Sequence, residues 1–262
     1  MTTVRFEQED GVGRIVLANP PYNRIDSKYA LNLRDAVHAA SESGIRVLAV
    51  VAEGPNFSLG GEVREWPGKD VNWFRTFVRQ VDTSYRALEG LRVPTVAVVR
   101  GLAFGGGFEL ALACDFLVAA DTAVFRCVEV TTGMLPIAGG VQRLAERAGR
   151  ARAQRFATLG EPIPGTLAGE LGIATHVVPE PRLDAEADSL VRHLAVGPTR
   201  SYVATRTLLK AWSSGGVAGT DELVLDVAME LYDGPDVQRG FVNTATAFDA
   251  DVEPPEIEFE GR

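Results

Sequence analysis

The sequence is poor in cysteine, in histidine and in excess positive charge, and each shortage removes a class of function. Only Cys114 and Cys127 are present, with no C-x-x-C pair, which offers no zinc knuckle and fits a reducing compartment. His38, His176 and His193 lie too far apart for an H-E-x-x-H metal site and read as surface or structural residues. Lysine and arginine number 26 against 35 acidic residues, a net charge of −9, which argues against a nucleic-acid partner. An anionic small ligand would therefore be held by local donors rather than by the overall field. No apolar run approaches the roughly 18 residues of a membrane helix. The N-terminus turns acidic at once, without the apolar core of a signal peptide, so a cytoplasmic protein is expected.

What is present is an ordinary globular composition, 46% apolar and 23% charged over 262 residues. Val4–Gln8 and Gly13–Ala18 read as strands around an Asp10-Gly11 turn. Asp26 or Ser27 caps a helix that Gly44 stops. Ile45–Val51 and Pro94–Arg100 are continuous apolar runs suited to strands buried on both faces, separated by a long helix around Asn72–Leu91. A helix is expected over Gly106–Ala113, and strands over Phe116–Ala120 and Val124–Phe125. The alternation predicts an α/β core over residues 1–195. From about Gly139 the strand signals fade into helical patterns, and residues 196–262 read as a helical appendage with a hinge or loop at Gly215-Gly216. The last twelve residues, with two prolines and four glutamates, are expected to be loosely held.

Between two apolar runs stands Gly101-Leu102-Ala103-Phe104-Gly105-Gly106-Gly107-Phe108-Glu109. Glycine is the most costly residue to order, so three in a row imply a need for bare backbone. A phosphate loop would end in Gly-Lys-Ser/Thr, whereas this one ends in a carboxylate. Leu110 occupies the third glycine of a dinucleotide fingerprint. A serine-hydrolase elbow around Ser58 fails because Asn56 stands where G-x-S-x-G requires glycine. An oxyanion site explains more: amides at a helix N-terminus are preorganised for developing negative charge, and a nearby glutamate can shuttle protons beside an enolate. Gly54–Glu62 repeats the pattern G-x-x-F-x-x-G-x-E of Gly101–Glu109 after an earlier strand. Two successive strand–loop–helix turns could thus aim two backbone N–H groups at one point.

These stretches resemble the crotonase superfamily, the enoyl-CoA hydratases and isomerases. Asn56–Val63 (NFSLGGEV) is similar to the family's first oxyanion loop, Val99–Ala120 to its strand, glycine loop and helix, and Ala123–Leu144 to the following segment. Gly240–Phe248 and the closing Phe-x-Gly-Arg resemble its C-terminal region. The likeness spans essentially the whole chain, with the motifs in order.

The resemblance implies a spiral of ββα turns, a helical C-terminal region that mediates trimerisation, often as a dimer of trimers, and an acyl thioester of coenzyme A as substrate. Coenzyme A is then part of the substrate, and no separate cofactor or metal is implied. Carried over by position, the oxyanion amides are those of Ser58 and Gly106, the catalytic glutamates Glu109 and Glu129, and the substrate contacts Arg24, Ile25, Gly60, Glu62 and Gly105. Possession of both glutamates favours addition of water to a 2-enoyl-CoA. Isomerisation, thioester hydrolysis or decarboxylation by the same scaffold is the alternative, and a non-catalytic binding subunit a further one. The sequence departs from the family pattern at Arg126 and Val128, where glycine and proline are usual, at Leu59, where alanine is, and at Glu62, where aspartate is. Arg126 offers a cation that would lower a neighbouring carboxylate's pKa, although alternation would point residues 126 and 129 to opposite faces. Leu59 would narrow the acyl pocket.

Overall fold

The computed structural model describes residues 2–261; Met1 and Arg262, the last residue of the closing motif, lie outside the described residues. The chain opens with a hairpin, β1 (Val4–Glu9) and β2 (Val12–Leu17), turned through Asp10 and Gly11, which both adopt positive φ. The Asp26 side chain accepts from the Tyr29 N–H and starts α1 (Ser27–Glu42) as an N-cap should. β3 (Val47–Ala52), α2 (Val71–Glu89), β4 (Thr95–Val99), β5 (Leu102–Phe104) and α3 (Gly106–Leu112) follow. Next come β6 (Phe116–Ala120), β7 (Val124–Arg126), α4 (Gly140–Ala148), α5 (Arg150–Leu159), β8 (Ile163–Pro164), α6 (Gly165–Glu170) and β9 (His176–Val178). The chain ends in α7 (Leu183–Val196), α8 (Thr199–Tyr232) and α9 (Pro235–Asp249).

One sheet runs in the order β1-β2-β3-β4-β6-β9, antiparallel only in its first pair, and a smaller sheet runs β5-β7-β8. Each turn of the spiral places a strand in the large sheet, then a short extended segment crossing beside it, then a helix. β4–β5–α3 and β6–β7–α4 are two such turns. The turn after β3 repeats them with a single bridge, Ser58 to Ala103, in place of a full strand. The repeat read from Gly54–Glu62 and Gly101–Glu109 is therefore a real structural repeat. β4 is buried at every position and β3 at its first four, as continuous apolar strands must be when both faces are covered. α7 packs across β2, β3, β4 and β6.

Three expectations need correction. Strands do not end near Gly139: β8 and β9 extend both sheets, but at two and three residues they carry too little pattern to be read in sequence. β5 lies inside what reads as loop. The C-terminal segment is tied down, because Asp236 accepts the N–H groups of Glu260 and Gly261, and Arg46 donates to the Phe259 carbonyl. The expected interruption at Gly215-Gly216 is present as a kink: Gly216 (φ 63°, ψ −163°) breaks α8 into two helical stretches.

Candidate active site

Two loops meet edge to edge to make the site. The first runs from Gly54 to Gly61 and is fixed from below by asparagines. Asn23 Nδ2 donates to the carbonyls of Glu53 and Asn56, and Ser58 Oγ donates to the Asn23 carbonyl at 2.7 Å. Asn56 Oδ1 accepts from the Leu102 N–H, stapling this loop to the second, residues 101–107. The approach is close enough to answer for the glycines. A Cβ on Gly107 would stand 2.5 Å from the Ser58 carbonyl oxygen. Gly105 has φ 50°, and a Cβ there would meet Glu129 Oε1 at 3.1 Å. A side chain at Gly107 would push the two loops apart, and one at Gly105 would crowd Val128 and Glu129.

The Gly105–Gly106 peptide, at the start of α3, faces a cavity of about 240 Å³. Arg24, Ile25, Gly105, Gly106, Glu109 and Glu129, all named from sequence, line it together. Three others do not. Ser58 is fully buried, and its amide donates to the Leu102 carbonyl at 3.1 Å, so it has no N–H left for a ligand. The amide of Gly60 lies 3.2 Å from Ser58 Oγ, and its α-carbon is pressed beneath the Phe104 carbonyl. Glu62 is ion-paired with Arg64, whose hydrogen bonds lower its pKa against the effect of burial, and it caps the turn Val63–Glu65. Arg126 donates to the Gly160 carbonyl at 2.6 Å and pairs with no carboxylate among the described residues.

The residue missed from sequence is Gly61. Ile25 donates to the Gly60 carbonyl, and its own carbonyl accepts from the Glu62 N–H. Peptide alternation then turns the intervening Gly61 N–H the other way, and no described protein acceptor meets it. Gly61 lines the cavity beside Gly106, whose own N–H sits at a helix N-terminus without an intrahelical partner. The only signal was the Gly60-Gly61 doublet, and it did not say which of its neighbours faced inward. Trp66 lies against Gly61, with Cζ2 2.5 Å from where a Cβ would stand, and continues the wall through Phe74 and Phe77.

The carboxylates sit in unlike surroundings. Glu109, on α3, is 3% exposed, and its Oε1 accepts from the N–H groups of Ala138 and Gly140, each at 2.8 Å. Burial, reinforced by the charge of Glu129, raises its pKa to about 7 despite those two donors and Arg143. Glu129 starts the 3₁₀ turn Glu129–Thr132, and burial raises its pKa as well. Its Oε2 is buried without a hydrogen-bond partner. A buried carboxylate oxygen left unpaired is costly in a resting protein and natural where a ligand or water completes it. Burial also pushes the Cys127 thiol up to about 12, so it is no nucleophile at neutral pH. Among the described residues no cluster of His, Cys, Asp and Glu could hold a metal ion, and no helix is long and apolar enough to cross a membrane.

A ββα spiral whose helix-start glycines share one small cavity with a buried and a half-buried glutamate is the architecture of the crotonase fold. The family model for enoyl-CoA hydratase/isomerase matches residues 7–241, and the chain belongs to that enzyme family. A probable enoyl-CoA hydratase of Mycobacterium tuberculosis is 33% identical over 190 residues, 71% of this chain and 72% of that protein. Among solved structures, a putative enoyl-CoA hydratase from Streptomyces coelicolor superposes with a TM-score of 0.89 at 29% identity, covering 99% of this chain and 94% of that one. An enoyl-CoA hydratase subunit from Geobacillus kaustophilus gives 0.88 at 29% identity, covering 99% and 98%.

Proposed function

We propose that the protein adds water to a 2-enoyl-CoA to form a 3-hydroxyacyl-CoA. The observation that carries this reading is the approach of both glutamates to one peptide. Glu109 Oε2 and Glu129 Oε1 lie 4.0 and 3.1 Å from where Cβ atoms on Gly106 and Gly105 would stand. In the proposed reaction the thioester oxygen accepts from the N–H groups of Gly61 and Gly106, so negative charge gathers on it as water attacks C3. One such donor is worth about 2.7–4 kcal/mol of transition-state stabilisation. The two carboxylates hold the water between them; one takes its proton, and the pair returns a proton to C2. The charge of Glu129 adds to burial in raising the proton affinity of Glu109, so the proton rests on Glu109 while Glu129 is ionised and the two carboxylates act as a coupled pair.

The acyl group would lie along Leu59, Trp66, Phe74, Phe77, Val81 and Ile137, none of which is polar enough to welcome a charged end. An uncharged apolar acyl chain suits this wall. Arg24, stacked on the Tyr22 ring at 5.3 Å, stands at the cavity where an anionic coenzyme A moiety would pass. Coenzyme A enters and leaves as part of the substrate.

α8 and α9 expose Leu209, Trp212, Val217, Leu225, Phe241 and Phe248, an apolar surface that supports assembly into a homotrimer or a dimer of trimers. Light scattering on the purified protein tests that assembly. Incubation with a panel of acyl-CoA thioesters, followed by product mass, tests the chemistry. Gain of one water supports hydration. A moved double bond at unchanged mass would instead make it an isomerase, loss of coenzyme A a hydrolase, and inertness on the whole panel a binding subunit.

A further inference from the structure

Arg143 lies on α4, outside the cavity, yet it is among the most buried charges in the chain, 7% exposed. Its guanidinium makes three directed bonds. Nε and Nη2 donate to the two carboxylate oxygens of Glu89 at 3.1 and 3.0 Å, and Nη1 donates to the Ala138 carbonyl at 2.9 Å. Ala138 belongs to the same turn, Ala138–Gly140, whose N–H groups grip Glu109 Oε1. Glu89 ends α2 and is met from α8 by Lys210, which donates to its main-chain carbonyl. Burial opposes the Glu89 charge, but Arg143, Lys210 and Arg86 hold its carboxyl below the ordinary value.

We propose that Arg143, clamped by Glu89, is a positioning residue that fixes the 138–140 turn and thereby the orientation and proton affinity of Glu109. This rests on Glu109 serving the reaction proposed above. A planar guanidinium with all three of these bonds made fixes the Ala138 carbonyl, and with it the adjoining peptides, in a way an ammonium could not. Its charge also acts directly on Glu109, alongside the groups that face that carboxyl from the other elements: Glu129 on its 3₁₀ turn, Tyr85 on α2 and Cys127 beyond β7. Of these only Arg143 favours the ionised form. Without it the turn loosens and a stabilising charge goes, and both changes favour the protonated carboxyl.

Two variants test this. Arg143→Lys keeps the charge and loses the fork. The double variant Arg143→Gln with Glu89→Gln removes both charges and leaves neither buried alone. Infrared titration of the protonated carboxyl band, identified by its loss in Glu109→Gln, reads Glu109 with no turnover required. The midpoint is expected to move to higher pH in both variants, further in the double. In parallel, kcat for hydration should fall about ten- to a hundredfold with KM changed by less than about threefold, as for a misplaced rather than a missing group. A midpoint unchanged in both variants overturns the proposal, whatever the rates. A shifted midpoint in a protein that hydrates no thioester upholds the positioning role and removes the hydratase reading instead.

Discussion

Glu109 and Glu129 share a cavity but not a state of satisfaction: Glu109 Oε1 takes two main-chain N–H groups, while Glu129 Oε2 is buried with none. One carboxylate is held by the fold, and the other waits for a partner that the fold does not supply. That asymmetry is what a pair arranged around a water molecule requires, and it yields separate expectations for each member.

Glu109→Gln and Glu129→Gln should each lower the hydration rate by at least about a hundredfold, the usual contribution of a positioned acid or base. Glutamine keeps the size of each side chain, so the far-ultraviolet spectrum should be unaltered. A variant with an undiminished rate, followed by loss of enoyl absorbance, would remove that residue from the mechanism.

The pH dependence follows from the raised pKa of Glu109, about 7 against an ordinary value of 4.5. Between those values the folded protein keeps a proton that the unfolded chain releases. Stability from this group is therefore complete below about pH 4.5 and falls as pH rises through 7, by on the order of 3 kcal/mol. Urea unfolding at pH 5 and pH 8 should show the wild type losing more stability than Glu109→Gln over that interval. The profile of kcat/KM should bend near pH 7, and a profile flat from 5 to 9 would contradict the assignment.

Replacing a peptide N–H by an ester oxygen distinguishes the two oxyanion candidates in the first loop. At Gly61 the change should cut kcat about a hundred- to a thousandfold with little loss of stability. At Ser58, whose amide donates to the Leu102 carbonyl, it should cost about 1 kcal/mol or more of stability instead. Paired melting and rate measurements on both ester proteins decide between them, and the reverse pattern would restore Ser58.

The acyl wall can be widened. Phe77 is 6% exposed and packs against Trp66 and Trp73 at the cavity's side. Phe77→Leu should improve kcat/KM for longer acyl chains relative to shorter ones. Each methylene newly buried adds about 0.8 kcal/mol, close to fourfold. An unchanged chain-length preference would place the acyl group elsewhere.

Much of this was legible in order along the chain. The Asp26 cap, the doubly buried strands β3 and β4, the repeated G-x-x-F-x-x-G-x-E and the break at Gly216 are local features, set by a residue's own conformational limits or by apolar runs. The placement of Glu109, Glu129 and Gly106 at one cavity agrees with the motif spacing. The repeat's two copies diverge in their acids: Glu62 and Glu109 occupy equivalent positions, yet one pairs with Arg64 in the first turn and the other is buried in the site. β9 escaped notice because three residues form a strand only when β6 stands beside them.

The sequence by itself determined where backbone must be bare and where acid is placed, since glycine and glutamate declare those properties wherever they fall. Only the tertiary structure decided which amide stays free and which carboxyl keeps its proton. Hydrogen bonds are exclusive: Leu102 claims the Ser58 amide and leaves Gly61's open, and the Ala138–Gly140 turn, fastened through Arg143, claims one oxygen of Glu109. Partners so distant along the chain become known only when folding brings them within reach.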